Sequence, residues 1–378
     1  MRNLTLLIKP VSGQCQFDCA YCFYRDEMKQ RGSAPGAQMS EKTLENIIKK
    51  AFAAADDGVT FAFQGGEPTL AGIAFYEKVL ALQRRFSRYK TYANTLQTNG
   101  GLIDDKWAAF LKKESFLVGL SLDGDAESHD LYRKAIHGSG TWQQVNAAGD
   151  ALKRFEVPFN VLCVVSKANV AKPRETYEAL KPYRFIQFIP CLEALGCSRS
   201  RYAPTAEEYA AFLDETFQLY RNDYLKGQYT SVRQYDNYIQ MLMGMRPESC
   251  AMNGRCSVSF TIESDGSVYP CDFYCLDQWR LGSINEASFI EMQNTPKAKE
   301  FVNSSVSVHA TCRSCKYYAL CRGGCRRERG DGTEYSPAGL NRYCEAYKAF
   351  FDRNYEALCE LKNRTSESLR QRKNTEVF

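Results

Sequence analysis

Three cysteines stand close together near the start of the chain, in the stretch CQFDCAYCFY. Cys15, Cys19 and Cys22 follow the spacing C-x3-C-x2-C, and Tyr21 directly precedes the last of them. A tetrahedral zinc site or an ordinary iron–sulfur cluster is closed by four protein ligands. Three neighbouring thiolates therefore predict either a fourth ligand from elsewhere in the chain or a metal position that stays open to a non-protein ligand.

A second group of cysteines lies in the last third of the chain, between residues 250 and 344. Cys256, Gly266 and Cys271 fit C-x9-G-x4-C, and the run from Cys312 to Cys325 fits C-x2-C-x5-C-x3-C. Because the chain has only three histidines, its metal ligands must be mostly sulfur. That favours iron–sulfur clusters or all-cysteine zinc over mixed cysteine and histidine sites. Ligand identity alone leaves a pair of zinc ribbons open.

The bulk composition limits the class of protein. The chain has 378 residues, of which 44% are hydrophobic and 25% charged, so a sizeable core is expected. A net charge of +5, from 49 basic and 44 acidic side chains, is too small and too dispersed to indicate nucleic-acid binding. No membrane-length apolar run or signal peptide is recognisable, which predicts a cytoplasmic protein without membrane contacts. In a reducing compartment, clustered thiols more often bind metal than form disulfides.

Alternating strand and helix patterns must position these cysteines. Six apolar runs read as strands, and amphipathic stretches such as Ser40–Ala55 and Gly72–Phe86 separate them. Six strand-then-helix units predict a parallel α/β sheet, and glycine-rich polar residues after successive strands are typical of a barrel's active-site end. Six units instead of eight would leave the barrel open on one side. The predicted strands are Leu4–Lys9, Val59–Phe63, Tyr92–Gln97, Phe116–Ser121, Phe159–Val165 and Phe185–Pro190.

The rest of the chain changes character twice. Residues 205–245 read as two connecting helices, and residues 246–355 form a cysteine-rich segment with little aliphatic periodicity. Such a segment is expected to be stapled by metal rather than by an apolar core. The polar residues 356–378 are expected to form a frayed tail. The domain prediction is therefore a partial barrel over residues 1–204, a helical connection, a cysteine-rich domain and a tail.

The first cysteine motif resembles that of the radical S-adenosylmethionine superfamily, which has the same C-x3-C-x2-C spacing and an aromatic residue at the position of Tyr21. The resemblance implies a four-iron, four-sulfur cluster whose open iron is chelated by S-adenosyl-L-methionine, which is cleaved to a 5′-deoxyadenosyl radical. The stretch Gly65-Gly66-Glu67-Pro68 matches the superfamily's GGEP, whose backbone meets the cosubstrate's amino group. Glycines there would allow the backbone to approach a ligand closely. Two further residues match positions that contact the cosubstrate's carboxylate end, namely Ser121 and Arg133.

The second cysteine group is similar to the SPASM extension of radical S-adenosylmethionine enzymes that modify peptides and proteins. The resemblance implies two fully ligated auxiliary clusters, and so three four-iron, four-sulfur clusters in all. One auxiliary cluster would be held by Cys250, Cys256, Cys271 and Cys325. The other would be held by Cys312, Cys315, Cys321 and Cys344. This interleaved assignment comes from the resemblance, because spacing alone does not yield it.

Within the superfamily, the chain most resembles the anaerobic sulfatase-maturating enzymes, through stretches such as FAFQGGEPTLAG, LQTNG, FLVGLSLDG and ESDGSVYPCDFY. Those enzymes oxidise a cysteine or serine in a C-x-P-x-R-type motif of a sulfatase to Cα-formylglycine, after hydrogen abstraction at Cβ. The resemblance implies Asp272 as the catalytic base and Tyr24 with Gln64 at the peptide site. It also implies a sulfatase polypeptide as substrate, a low-potential donor such as flavodoxin or ferredoxin, and a monomer.

Two other functions stay open at this point. One is another SPASM peptide maturase that forms a thioether or carbon–carbon crosslink, although such enzymes usually carry an N-terminal winged-helix domain and this chain begins directly with the first strand. The other is a non-catalytic iron–sulfur electron carrier, which would not need the GGEP stretch or an open three-cysteine site. Five cysteines stay outside the three predicted clusters, with structural or incidental roles expected for most, namely Cys163, Cys191, Cys197, Cys275 and Cys359.

Overall fold

The computed structural model describes residues 1–32, 38–195, 201–330 and 338–375, with side chains up to Gln371. Within these residues ten strands form one continuous sheet. In chain order the strands are β1 (Asn3–Ile8), β2 (Gly58–Phe63), β3 (Thr91–Thr98), β4 (Leu117–Ser121), β5 (Phe159–Val165), β6 (Phe185–Pro190), β7 (Ser231–Val232), β8 (Thr261–Ile262), β9 (Ser267–Tyr269) and β10 (Gly282–Ser283).

The first six strands are parallel and lie side by side in sequence order, so the predicted open α/β barrel is confirmed. The observed strand bounds differ from the predicted ones by at most about one residue, which is the usual uncertainty at element ends. In the register, Ile8 faces Phe63 and Phe63 faces Leu96. The loops that follow these strands therefore leave the sheet at one edge, where side chains from distant parts of the chain can meet.

Helices cover the outer face of the sheet and follow the amphipathic patterns of the sequence. The Ser40 hydroxyl caps the helix after it by accepting a hydrogen bond from the Thr43 backbone amide. No helix in the described ranges is long and apolar enough to cross a membrane. The helices are α1 (Phe23–Lys29), α2 (Glu41–Ala54), α3 (Ile73–Phe86), α4 (Asp105–Lys113), α5 (Ala126–Tyr132), α6 (Trp142–Arg154), α7 (Pro173–Leu180), α8 (Ala206–Leu225), α9 (Arg233–Leu242), α10 (Phe289–Gln293), α11 (Pro296–Ser304), α12 (Ala310–Arg313), α13 (Tyr318–Cys321) and α14 (Cys344–Thr375).

The start of the cysteine-rich segment extends the barrel sheet. Strand β8 pairs in parallel with β1, β9 pairs antiparallel with β8, and β10 pairs antiparallel with β9. Phe260, Ile262 and Val268 are buried in the same apolar core as the barrel. The expectation that metal rather than an apolar core would staple this segment is therefore wrong, because its short strands and helices bury apolar side chains, Phe289 and Phe351 among them, in the core shared with the barrel.

The polar C-terminal stretch, expected to be a frayed tail after residue 356, instead continues helix α14 to Thr375. Leu358 and Leu361 are fully buried, and Arg221 of α8 forms an ion pair with Glu360 of α14 at 2.6 Å. A narrow apolar stripe therefore holds the helix against α8. The sequence-based expectation failed because the polar residues around that stripe obscure it.

Candidate active site

A cavity of about 210 Å³ opens at the carboxyl edge of the parallel strands. Cys15, Cys19 and Cys22 all contribute to its wall, so the structure brings the three predicted ligands to one space. Residues at or just after the carboxyl ends of four of the strands complete much of the lining, including Gly65, Gly66, Asn99, Ser121 and Ile189.

The cysteine loop is pinned to the chain after α5. The backbone amides of Asp18 and Ala20 donate to the carbonyls of Lys134 and Tyr132, at 2.7 and 2.9 Å. Cys22 then forms the N-cap of α1. The loop therefore presents its three thiols from a fixed backbone.

Burial raises the pKa of the Cys15 thiol to about 11 and that of Cys19 to about 12. The Arg133 guanidinium acts against the shift at Cys19. The Cys15 sulfur accepts hydrogen bonds from the Phe17 amide and the Asn99 side chain, both at 3.3 Å. Thiols in this state are neutral, and a bound cationic cluster would compensate the cost of ionising them. The donor set fits an iron–sulfur cluster held by three cysteines.

Tyr21, Asp123 and Arg133 form a buried polar triad next to the cysteine loop. The Tyr21 hydroxyl donates to the carboxylate of Asp123, and Arg133 Nη1 donates to the same hydroxyl at 2.9 Å. Asp123 Oδ1 accepts from the backbone amide of Val164 at 2.9 Å. The Nε atom of Arg133 is buried without a hydrogen-bond partner in the described residues, so the guanidinium at the cavity wall has unused donor capacity. Tyr21 and Arg133 thus lie together, and Asp123, which the sequence analysis missed, holds both.

The glycine-rich loop after β2 shows why its residue types are needed. Gly65 and Gly66 have φ values of +87° and +49°, and a Cβ on Gly66 would lie 2.1 Å from the Gln14 carbonyl oxygen. A Cβ on Gly65 would lie 2.3 Å from the Lys9 side chain. Neighbouring protein atoms therefore already exclude side chains at these positions, whereas the sequence analysis attributed the glycines to a ligand alone.

Glu67, which the sequence analysis placed among the cosubstrate contacts, is completely buried in the protein. Its Oε1 accepts from the Thr69 amide, the Thr69 hydroxyl and the Thr98 hydroxyl at 3.0, 2.6 and 2.8 Å. Its Oε2 accepts from the Asn99 amide at 2.7 Å. The side chain thus ties the loop after β2 to the loop after β3. Ser121 does line the cavity, and its hydroxyl accepts from Gln97 at 3.0 Å.

Asp272 approaches the same cavity from the cysteine-rich segment. Its Oδ2 accepts hydrogen bonds from the Tyr24 hydroxyl at 2.6 Å and from Gln64 Nε2 at 3.1 Å. Tyr24 and Gln64 line the cavity, and the ring of Phe273 packs on Phe23 at a centroid distance of 4.9 Å. The structure therefore brings the predicted base and the two predicted peptide-site residues into one hydrogen-bonded group.

Asp272 also belongs to a buried cluster of charged side chains. The Lys9 ammonium lies 3.0 Å from Asp272 Oδ1, 3.3 Å from Glu263 Oε1 and 3.9 Å from Glu27 Oε2. Arg31 pairs with Glu263 at 3.0 Å. Oδ1 of Asp272 is buried and receives no aligned hydrogen bond from any described residue, so it interacts with the Lys9 ammonium as a charge. Sequence patterns alone did not indicate Lys9, Glu27 or Glu263 as site residues, although a lysine that ends an apolar strand is a usable signal.

Within this cluster, burial raises the pKa of Glu27 to about 8, although the Lys9 ammonium acts in the opposite direction. Glu27 therefore holds a proton at neutral pH. Burial alone would lower the pKa of Lys9, but Asp272, Cys275, Glu263 and Glu27 outweigh it and raise that pKa well above its usual value. With Glu27 protonated, the cations of Lys9 and Arg31 face the carboxylates of Glu263 and Asp272, so the buried charges balance.

This balance predicts a pH-dependent stability effect of Glu27→Gln. The pKa of Glu27 is higher in the folded protein than in the unfolded chain. Its contribution to the unfolding free energy is therefore fully present below about pH 4.5 and is lost as the pH rises towards 8. We expect the wild type to lose up to a few kcal/mol of unfolding free energy relative to Glu27→Gln between pH 5 and 8. Thermal unfolding of both proteins across this range measures the difference, with the exposed Glu77→Gln as control. Parallel curves for wild type and Glu27→Gln would contradict the prediction.

Eight of the nine cysteines of the second group are the implied ligands of the two auxiliary clusters, four for each. Cys312, Cys315, Cys321 and Cys344 line one small cavity between α12, α13 and the start of α14. Burial raises the pKa of Cys321 to about 12, and the thiols of Cys344, Cys312 and Cys315 add to that shift.

The other four cysteines form the second set. Burial and Glu328 raise the pKa of Cys325, and the thiols of Cys250 and Cys256 contribute. Burial also raises the pKa of Cys271, with contributions from Cys325 and Cys250. The thiols within each set thus act on one another's pKa, and the assignment of each set to one cluster stays a prediction. Among the described residues, no three or more His, Cys, Asp or Glu side chains are arranged to hold a single metal ion.

The remaining cysteines differ in their surroundings. Cys163 is a fully buried core residue, and Cys191 lines the active-site cavity. Cys275 is buried, and its sulfur lies 3.3 Å from the Lys9 ammonium. Cys359 lies in α14, and Cys197 lies outside the described residues. All fifteen described cysteines are free thiols.

Family models match two parts of the chain: the radical SAM superfamily over residues 10–180 and the iron–sulfur cluster-binding SPASM domain over residues 250–316. The chain is 42% identical over 369 residues to a cysteine-type anaerobic sulfatase-maturating enzyme of Clostridium perfringens, covering 96% of this chain and 99% of that protein. A serine-type enzyme of Bacteroides thetaiotaomicron is 28% identical, over 93% of this chain and 89% of its own length.

Solved structures agree with these matches. The structure described as native anSMEcpe with bound AdoMet and Cp18Cys peptide superposes with a TM-score of 0.91 at 42% identity, covering 96% of this chain and 99% of that one. Streptococcus suis SuiB with S-adenosylmethionine shares the fold, with a TM-score of 0.60 at 17% identity, over 86% of this chain and 73% of that one. From 42% identity over nearly the full length of both proteins and the matching fold, the chain belongs to the anaerobic sulfatase-maturating enzyme family of the radical S-adenosylmethionine superfamily.

Proposed function

We propose that this protein oxidises a cysteine in a C-x-P-x-R-type motif of a sulfatase polypeptide to Cα-formylglycine. The observation that carries the proposal is the shared wall of one cavity. Cys15, Cys19 and Cys22 lie on it together with Tyr24 and Gln64, which hold Asp272 by hydrogen bonds. The ligands of the proposed radical source therefore share a cavity with the two residues that hold the proposed proton acceptor.

The clusters and S-adenosyl-L-methionine, when bound, would supply a carbon-centred radical that removes a hydrogen atom from the substrate Cβ and an acceptor for the second electron. Cys15, Cys19 and Cys22 would hold the open cluster, with the Arg133 guanidinium and the Ser121 hydroxyl towards the cosubstrate's carboxylate. The four-cysteine sets described above would hold two further clusters, making three in all.

Asp272 has the role of general base in this proposal. It would accept the thiol proton as Cβ loses a hydrogen atom and a second electron leaves. Water would then replace sulfur, which departs as hydrogen sulfide, leaving the aldehyde. Tyr24 and Gln64 keep the carboxylate next to the peptide space, and Asp272 stays mostly shielded, with 11% of its side chain exposed.

Cysteine rather than serine is the preferred target in this proposal. The identity is 42% to a cysteine-type relative and 28 to 30% to serine-type relatives. We also propose that the enzyme works as a cytoplasmic monomer that takes electrons from a low-potential carrier such as flavodoxin or ferredoxin. The domain division at residues 204, 245 and 355 is retained as part of the proposal, with α14 spanning the last boundary.

Mass spectrometry of a C-x-P-x-R peptide, incubated without oxygen with the reconstituted protein, S-adenosyl-L-methionine and a strong reductant, tests the proposal. We expect the mass loss for replacement of the thiol by an aldehyde, with equimolar 5′-deoxyadenosine. A matched peptide with serine in place of cysteine should react more slowly. Deoxyadenosine without any change in the peptide would overturn the substrate assignment, and a crosslink within the peptide would favour another maturase. If S-adenosyl-L-methionine is not cleaved at all, the remaining hypothesis is a non-catalytic iron–sulfur electron carrier.

A further inference from the structure

Lys9 combines a charged group with nearly complete burial. It directly follows β1, and its backbone amide donates to the Ile262 carbonyl at 2.8 Å, so the pairing of β1 with β8 sets its position. Only 2% of its side chain is exposed. A lysine is rarely buried to this extent unless its ammonium is paired.

The side chain of Lys9 has little freedom to move. Its methylene stem passes against Gly65, where an added Cβ would lie 2.3 Å from Lys9 Cγ. Its ammonium lies 4.5 Å from the centre of the Tyr24 ring. Because Gly65 has no side chain, the Lys9 methylene chain fits beside it, and the ammonium is held at one position.

At that point the ammonium meets groups from both halves of the molecule. Glu27 belongs to α1 of the barrel, whereas Glu263, Asp272 and Cys275 belong to the cysteine-rich segment. The shortest of these contacts, at 3.0 Å, is to Asp272 Oδ1. Because Tyr24 and Gln64 hold Oδ2, the Asp272 carboxylate is fixed on both of its oxygens.

We propose that Lys9 is a positioning residue for the peptide oxidation, which holds the Asp272 carboxylate in the orientation that accepts the substrate proton. This inference rests on the proposed function of Asp272. Lys9 acts through Asp272 and has no contact with substrate of its own. A buried ion pair by itself is weak evidence for a stabilising role, since replacement by apolar groups is often neutral. The directed geometry at Asp272 distinguishes Lys9 from a simple structural lysine.

The test compares Lys9→Met with the wild type for two products of one reaction, the aldehyde and 5′-deoxyadenosine. We expect the ratio of aldehyde to deoxyadenosine to fall roughly 10- to 100-fold, through kcat for the aldehyde, with the peptide KM little changed. Lys50→Met is the matched control, because Lys50 of α2 also bridges to the cysteine-rich segment, donating to the Ile284 and Ala287 carbonyls at 2.6 and 2.9 Å. It should leave the ratio unchanged.

Lys9→Met leaves an uncompensated carboxylate in the core and could fail to fold. The double variant Lys9→Met, Glu263→Gln removes one charge of each sign, and thermal unfolding of the reconstituted protein identifies which variant is folded. The same fall in the product ratio is expected of it. An unchanged ratio in a folded variant, or an equal fall of both products, would overturn the proposal. A wild type that makes deoxyadenosine but no aldehyde would instead refute the proposed function.

Discussion

Replacing any of Cys15, Cys19 or Cys22 by alanine is expected to abolish cleavage of S-adenosyl-L-methionine. The three thiols line one cavity from a backbone that is hydrogen-bonded to residues 132–134, so the loop presents all three ligands together. With two thiolates left, an open cluster loses a third of its protein ligands. The measurement is 5′-deoxyadenosine formed by the reconstituted variant under strong reductant, which should drop to background.

Cys359→Ala is the matched control for these variants. Cys359 lies on α14 outside both cysteine groups, and its loss should leave cleavage unchanged. Iron content should fall in the Cys15, Cys19 and Cys22 variants by about one cluster's share and stay constant in the control. Cleavage at the wild-type rate in any of the three variants would show that the open cluster is held elsewhere.

Asp272→Asn is expected to abolish aldehyde formation and to leave cosubstrate cleavage largely intact. The amide keeps the shape of the carboxylate and can still accept from Tyr24 and Gln64, but it cannot take up a proton at neutral pH. General-base catalysis typically contributes about 100- to 10,000-fold, and the loss of aldehyde should fall in that range. The measurement is the amount of each product over time with the C-x-P-x-R peptide.

Asp277→Asn provides the comparison for that variant. Asp277 lies five residues further along, and its carboxylate accepts from the backbone amide of Gly32 at 2.9 Å near the surface. Its substitution should leave both products at wild-type amounts. If Asp272→Asn loses deoxyadenosine and aldehyde to the same extent, Asp272 serves the fold or the adjacent cluster rather than the proton transfer.

The position of the catalytic end of the barrel follows from local sequence patterns. Strands such as Phe159–Val165 are short apolar runs bounded by turns, so their type and order can be read from the sequence. The parallel arrangement then directs the loops after β1, β2, β3 and β4 to one edge. Motif spacing adds the three-cysteine site and the glycine-rich loop. These features are local, and each depends on residues close together in the chain.

The role of the glycine-rich loop after β2 could be predicted only in part from the sequence. The sequence indicates that Gly65 and Gly66 are needed, but their neighbours, Lys9 and Gln14, lie more than fifty residues earlier. Likewise, Glu67 is part of a recognisable motif, yet its four hydrogen bonds to residues after β2 and β3 assign it to loop positioning. A motif specifies residue types, whereas the contacts that explain them are made across the fold.

The sequence by itself determined the fold class, the cysteine inventory and the family resemblance, because strand periodicity and ligand spacing are properties of short segments. Only the tertiary structure decided which charges surround Asp272. Lys9, Glu27 and Glu263 are separated by up to 254 residues and meet because β8 pairs with β1. Buried charges of this kind are stable only with their partners in place, and the partners are chosen by the packing of the whole chain.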